Sequence, residues 1–482
     1  MKRNYLKMML VAVIAAMGIV MTSCSSDDGN DGNGGNNGNN NQKAKYTIMF
    51  YGCGGGNLDI WFQEGVPEIV KSLNVPNNKV RFAVMFNSSK DASMYGKNVQ
   101  TDFITDWATC YRFELTPQTD LTKEGFRAKY KYKDASDVPL YKTATIVEYI
   151  NWVKENVPAE NYILMPMNHG GGLDLSEELT RAIGYDTNHK ASDGHFYGIG
   201  EKALVDALKQ TNTHLKAIYW CGCMMGQLEV MTQLAPYCDY QFCSSHVSRA
   251  IENLFYDIIN AINQEPDDFE KAALIDCQLH ENDYIENFLN VPDENKPGQR
   301  HNENCDWGCW RSNKLADINA QVKKLATLLT DNYGDNTKMA QIDNATAKTY
   351  VFQYDCYFAD VLDYAVNVAE RLDDGQNATA NQIVTDMEKA LKAAKVYRID
   401  GLNIVNIKGE PIGPKKGYFS LGISIYSSGD ETWQAYGANY RATDFDKATG
   451  WSKFLDMNTV GVKEGDTNPA NNSTWDLGYL ED

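Results

Sequence analysis

Five short runs rich in β-branched and aromatic residues punctuate the first half of the chain, and most of the gaps between them hold a helix-length amphipathic stretch. The runs 45–52 (KYTIMFYG), 80–86 (VRFAVMF), 162–167 (YILMPM), 215–220 (LKAIYW) and 240–244 (YQFCS) have strand length and strand composition. Residues 57–73, 144–156, 199–210 and 225–234 carry apolar side chains at helical spacing. Parallel strands need a crossover of about a dozen residues, and such helices supply it. The pattern predicts an α/β fold with a largely parallel central sheet covered on both faces. A long polar excursion, 87–141, interrupts it with shorter strand-like pieces.

Beyond residue 255 the pattern turns mainly helical, over 269–279, 314–332 and 358–372, and a strand-like run, 418–427 (YFSLGISIYS), returns near the end. The polar, proline-containing stretch 292–309 reads as a loop or insertion rather than core. No internal repeat occurs at a fixed period.

Lys2, Arg3 and Lys7 precede an uncharged, largely apolar run over 8–21, which is too short to cross a bilayer as a helix and fits a signal peptide. It ends in Met21-Thr22-Ser23-Cys24, which resembles the lipobox of bacterial lipoproteins. That resemblance implies removal of 1–23 and diacylation of Cys24 on sulfur. Residues 24–44 then form a tether whose part from 25 to 41 contains only Ser, Asp, Gly and Asn, too polar to repay ordering. Asp27-Asp28 is similar to an acidic surface-export signal; the expected location is the cell envelope, lipid-anchored to the outer membrane, with an outward and a periplasmic orientation both open. Removing three basic residues with the signal takes the formal charge from −19 to −22. A body this acidic repels nucleic acid and anionic membrane, so membrane contact is expected through the anchor alone. Of eleven cysteines, Cys24 is committed to lipid and the others are scattered; Cys305 and Cys309 could form a small disulfide, but ten candidates admit too many pairings to choose among.

Two segments carry chemistry. Met167-Asn168-His169-Gly170-Gly171-Gly172 lies where the third run ends, and Trp220-Cys221-Gly222-Cys223-Met224-Met225-Gly226 lies where the fourth ends. Ligands of open parallel sheets bind at the carboxyl ends of strands, so both segments belong on one edge. Cys223 is expected at a helix N-terminus, whose dipole favours the thiolate. His169 can act as base toward that thiol and as acid toward a leaving amine. Glycines after the histidine allow close backbone approach, and the N–H groups of Gly170 and Cys223 suit an oxyanion. Cys221 is a rival nucleophile but lies deeper in its strand. A Cys-x-Cys metal site lacks a second pair or a histidine cluster, so no metal is expected. His189, His195, His214, His246, His280 and His301 sit in polar contexts that favour the surface. Gly54-Gly55-Gly56 lacks the following Lys-Ser or Lys-Thr of a phosphate loop.

The His-Gly and small-residue-Cys motifs resemble the caspase-like cysteine peptidases and, within them, the clostripain family. That family's Asp-Ala-Cys-x-Met-Gly is answered here by Cys221-Gly222-Cys223-Met224-Met225-Gly226. Residues 51–58 (YGCGGGNL) are similar to its opening strand and loop; Gly422-Ile423-Ser424-Ile425-Tyr426 with Tyr436, Tyr440, Phe445 and Trp451 are similar to its closing segment. The resemblance spans most of 45–455. It implies a caspase-like α/β/α sandwich with a catalytic core over 45–255, and a helical and mixed region, 256–482, completing the fold. It implies a cysteine endopeptidase that cleaves protein or peptide substrates through His169, Cys223 and a thioester acyl-enzyme. Calcium enters only by that resemblance, without an EF-hand-like loop, and no other cofactor is expected. Several relatives are cut between the dyad residues, and a maturation cut is expected somewhere in the polar loop 173–197, which offers Arg181-Ala182 and Lys190-Ala191. The chain departs from the family at Cys221, where relatives carry an aspartate that holds a basic side chain of the substrate. Cys221 is therefore the specificity-pocket candidate, and a weakened basic preference is expected unless Asp239 or Glu252 compensates. A reading from another class is a non-catalytic surface lipoprotein whose 28 Tyr and 9 Trp bind glycan or protein, although most of these rings are expected in the core.

Overall fold

The computed structural model describes residues 44–52, 58–88, 108–173, 175, 183–190, 194, 196–246, 251–287, 289–292, 300–302, 306–353, 358–399 and 420–461. In chain order the strands are β1 (Ala44–Gly52), β2 (Val80–Asn87), β3 (Thr109–Leu115), β4 (Lys131–Asp134), β5 (Ala159–Met167), β6 (Ile183–Lys190), β7 (Phe196–Ile199) and β8 (Leu215–Tyr219). They continue with β9 (Cys238–Cys243), β10 (Leu289–Pro292), β11 (Arg300–Asn302), β12 (Gly308–Arg311), β13 (Val351–Gln353), β14 (Phe358–Asp360), β15 (Lys395–Arg398) and β16 (Gly422–Ser424). All five apolar runs of the first half are strands, and they form the centre of a nine-stranded sheet ordered β15-β12-β9-β8-β5-β1-β2-β3-β4. The five central strands run parallel. Antiparallel pairs β3/β4 and β12/β15 close the two sides.

Alternation along the strands explains the layers. Ile48 and Phe50 of β1, Ile163 and Met165 of β5, and Ala217 and Tyr219 of β8 enter one apolar cluster with the helices Asp59–Leu73, Ile251–Gln264 and Phe269–Asn287. Met49, Tyr51, Leu164, Ile218 and Trp220 point the other way, against Thr143–Asn156, Glu201–Gln210, Leu315–Tyr333 and Val361–Arg371. With period-two side chains buried on both faces, the fold is an α/β/α sandwich. The aromatic residues concentrate in these layers: Trp220, Trp307, Trp310 and Trp451 are all buried.

The second half departs from its sequence reading in three places. The 292–309 stretch is core at its end, because Asp306, Trp307 and Cys309 are buried and β12 joins the main sheet beside β9. The 358–372 helix begins only at Val361, since Phe358–Asp360 pairs with β13 and β16 first. Of the 418–427 run, Gly422–Ser424 is strand, and it joins this small three-stranded sheet rather than the main one. Strands from 45–255 and from 256–482 thus share one sheet.

Candidate active site

β5 and β8 are neighbours, with Ile163 opposite Ala217 and Leu164 opposite Ile218. Their ladder continues past the strand ends: Met167 bridges Cys221, Cys221 N–H donates to the Pro166 carbonyl at 3.0 Å, and Asn168 N–H donates to the Cys221 carbonyl at 3.2 Å. Two residues further on lie His169 and Cys223, so pairing alone brings the two motifs together. The glycines then let the backbones touch. A Cβ on Gly170 would meet the Cys223 carbonyl oxygen at 2.0 Å and the Cys223 nitrogen at 2.8 Å. One on Gly222 would meet the Asn168 carbonyl oxygen at 3.0 Å.

His169 is half-buried and tightly framed. Its N–H donates to the side chain of Asn168, and its carbonyl accepts the N–H of Gly184 at 2.7 Å. Gly184 takes φ +78°, a region that favours glycine. Burial pushes the His169 imidazole below its ordinary value, which keeps it a neutral base. Among the seven cysteines described, Cys223 alone is partly exposed; Cys110, Cys221, Cys238, Cys243, Cys277 and Cys309 are buried. Burial holds the Cys221 thiol well above the usual range and pushes Cys238 up to about 12. A thiol kept protonated and covered is a poor nucleophile. That separates Cys223 from its rival Cys221.

The helix expected over 225–234 starts only at Leu228. Met224 adopts φ +58°, a left-handed conformation that costs a non-glycine residue about 1–3 kcal/mol. Gln227 is then extended and pairs with Gly422. Cys223 therefore sits on a strained turn rather than at a helix N-terminus, and the dipole argument for its thiolate does not apply. The turn is suspended instead from residues 244–246. Met224 N–H donates to the His246 carbonyl at 2.9 Å, Gly226 N–H to the Ser244 carbonyl at 2.7 Å, and the Ser245 hydroxyl to the Gly226 carbonyl at 2.9 Å.

Sequence reasoning missed several of the supports. Gln227, fully buried, accepts the Leu173 N–H at 3.1 Å on Oε1 and so ties the turn after Cys223 to the segment after His169. Its Nε2 is packed against Gly172, whose φ is +71°. Glu229 is buried beneath the turn and accepts from Tyr440 at 2.9 Å and Ser424 N–H at 2.8 Å. Burial raises its carboxyl above the ordinary value. Gln227 and Glu229 follow Cys223 closely enough to have been suspected; the 244–246 turn gave no local signal.

The remaining candidates fall as follows. Cys221 faces the cluster under Phe269–Asn287, beside Asp276, and its side chain is covered. Asp239 stands at the amino end of β9, bonded to His214 and Lys216 at 2.9 Å each, so it cannot reach the carboxyl-edge site. Glu252's side chain, Cys24, Gly54–Gly56, Arg181-Ala182, Ala191, His195, the His301 side chain and Cys305 lie outside the described residues. His246 and His280 are buried, against the surface expected for them, while His214 is exposed. Among the described residues no three His, Cys, Asp or Glu side chains converge to hold a cation, so no step is assigned to calcium.

Against known proteins, the model of the clostripain family matches residues 125–457. Clostripain of Hathewaya histolytica is 23% identical over 206 residues, which are 41% of this chain and 37% of that protein. The match thus spans well under two thirds of the curated relative's length. A secreted C11 cysteine protease from Bacteroides thetaiotaomicron, solved with an irreversible peptide inhibitor, superposes with a TM-score of 0.58 at 13% identity, over 85% of this chain and 99% of that one. An inactive zymogen C11 protease from Parabacteroides distasonis gives 0.54 at 16% identity, over 85% and 99%. At these identities the likeness is one of fold.

Proposed function

The chain belongs to the clostripain family of cysteine peptidases, and from that premise we propose that it hydrolyses peptide bonds with Cys223 as nucleophile and His169 as base. One observation carries the reading: the half-buried thiol of Cys223 lies on a turn in backbone contact with the His169 loop, while the other described thiols are buried. Neutral His169 takes the Cys223 proton as sulfur attacks the substrate carbonyl, and the N–H groups of Gly170 and Cys223 receive the developing oxyanion. His169 then returns the proton to the leaving amine, and water cleaves the thioester. Cys223→Ala and His169→Ala should each abolish turnover of a peptide library, whereas Cys221→Ala should leave the chemistry intact. Full activity in the Cys223→Ala protein would overturn the mechanism. The two losses should not add, because the residues act as one unit.

Two finer readings belong to this proposal. The first is location: a lipid on Cys24 holds the enzyme at the outer membrane. Cys24→Ser should release soluble protein or leave the signal uncleaved; normal processing with unchanged membrane fractionation would refute it. The second is specificity. With Cys221 where relatives carry aspartate, arginine before the cut loses a charged partner worth on the order of 2–3 kcal/mol. A weak basic preference follows, and a library profile strongly selective for arginine contradicts it.

A further inference from the structure

The turn that carries Cys223 does not stand alone; it hangs from residues 244–246, whose N–H groups are in turn held by the carboxylate of Asp306. Asp306 Oδ2 accepts the N–H of Ser245 at 2.5 Å and that of His246 at 3.2 Å. The same oxygen meets Arg398 Nη2 at 2.5 Å, and both side chains are about 1% exposed. Arg398 also donates to the Ser420 carbonyl, and its guanidinium lies 5.9 Å from the ring of Phe352 and 5.7 Å from that of Trp310. Ser420 N–H donates at 2.6 Å to Asp360, which caps the helix Val361–Arg371 through Leu362 and Asp363 N–H at 3.0 Å each. An ion pair this deep is a weak source of net stability, because desolvating two charges offsets their attraction. Its geometry has a clearer consequence. It fixes two N–H groups of the 244–246 turn and thereby the two carbonyls to which Met224 and Gly226 donate.

We propose that the buried Asp306–Arg398 pair is a positioning device for catalysis: it holds the Ser244 and His246 carbonyls where they keep the left-handed turn at Met224, and so aims the Cys223 N–H at the oxyanion. The pair touches neither substrate nor the reacting atoms. Gly226 fits this role, since a Cβ there would meet Ser245 Oγ at 2.5 Å and Ser245 N at 2.8 Å, leaving no slack between the two turns. A turn held at a cost in backbone strain relaxes when its anchor is removed. A misplacement of about 1 Å at a catalytic group is enough to lose on the order of 100-fold in rate.

The inference rests on the Cys223 reading above, and its test separates the two. Asp306→Asn keeps an acceptor of the same shape but removes the charge that holds Arg398. Arg398→Lys and Ser245→Ala provide gentler lesions should the first variant fail to fold. Three readouts are needed on the full chain: peptide turnover, alkylation of Cys223 by iodoacetamide, and hydrogen exchange over residues 223–227. The expected result is a kcat lower by roughly ten- to a hundredfold with KM within about threefold of wild type, unchanged alkylation, and faster exchange confined to 223–227 and 244–246. Alkylation needs only the thiol and not the oxyanion site, so it should be spared. Wild-type kcat together with unchanged exchange overturns the proposal, as does a fall in alkylation that parallels the fall in kcat. A wild-type protein that cleaves no peptide refutes the dyad reading instead, and exchange alone then decides whether the pair holds the turn.

Discussion

A Cβ on Gly170 would stand 2.0 Å from the Cys223 carbonyl oxygen, against backbone that cannot swing aside. Gly170→Ala should therefore push the His169 and Cys223 loops apart and lower kcat/KM by on the order of 100-fold or more. Gly334 is the control, because it ends the helix Leu315–Tyr333 at φ −75° with open space around it. Gly334→Ala should leave activity unchanged and stability equal or higher by about 0.4–1 kcal/mol. Equal damage from both substitutions, by kinetics and thermal unfolding, would remove the packing argument. His169 yields a second prediction at this scale. Burial disfavours the imidazolium, so the proton leaves at lower pH than the ordinary 6.5. The acid limb of kcat/KM should accordingly have its midpoint below 6.5, and a midpoint above that value contradicts the assignment. His169 and Cys223 were legible in the sequence because each ends an apolar run and is flanked by glycine. Asp306 was not, because it lies in a polar stretch and acts through contacts sixty or more residues away in the chain.

Among the elements, the hairpin of β6 and β7 lies between His169 and Cys223 in the chain and is latched to the segment before the helix Thr143–Asn156. Asp186, fully buried, accepts His189 Nδ1 at 2.8 Å and Leu140 N–H at 3.2 Å, while His189 Nε2 meets the Ser136 carbonyl at 3.0 Å. Both ring nitrogens face acceptors, so the imidazolium fits this site best and the His189 pKa is raised, chiefly by Asp186. Lys142 opposes this and the Tyr141 ring packs edge-on at 5.8 Å. Burial raises the Asp186 carboxyl as well. A raised basic pKa contributes stability that is complete below the ordinary 6.5 and disappears as pH climbs through the folded value. The thermal-midpoint gap between wild type and His189→Gln should therefore shrink from pH 6 to pH 9; a constant gap would show that charge plays no part. The same latch bears on a cut at Lys190-Ala191: Lys190 pairs with Phe196 and lies over its ring at 4.7 Å, so cleavage there requires the hairpin to open. Long strands with both faces buried were readable from composition. The four-residue β12 and β15 were not, for so short a run carries too little periodicity. The late start of the Leu228–Leu234 helix escaped for a different reason: Met224 is a good helix former, and only its bonds to the 244–246 turn impose the left-handed conformation.

At the scale of the whole molecule, residues past 255 complete both the sheet and the site. Gly308–Arg311 pairs along the whole of Tyr240–Cys243, so removing it would bare the hydrogen-bonding edge of β9. Leu228, Val230 and Met231 share a core with Val322, Leu325 and Leu362, which the same truncation would delete. It would also take away Asp306, Arg398 and the Gly422 N–H that donates to the Gly226 carbonyl at 2.9 Å, leaving the Cys223 turn without its outer supports. A protein cut back to 43–255 should therefore aggregate or unfold and hydrolyse nothing, although it retains His169 and Cys223. A protein covering 43–482 should keep full activity, because Lys43–Asp482 forms a single unit without residues 1–42. Circular dichroism, cooperative unfolding and peptide turnover on the two proteins test this directly. A soluble 43–255 fragment with wild-type kcat would mean that the second half is an addition to the catalytic machinery rather than part of it. Loss of turnover with retained cooperative folding would place the role of that half in supporting the Cys223 turn rather than the sheet.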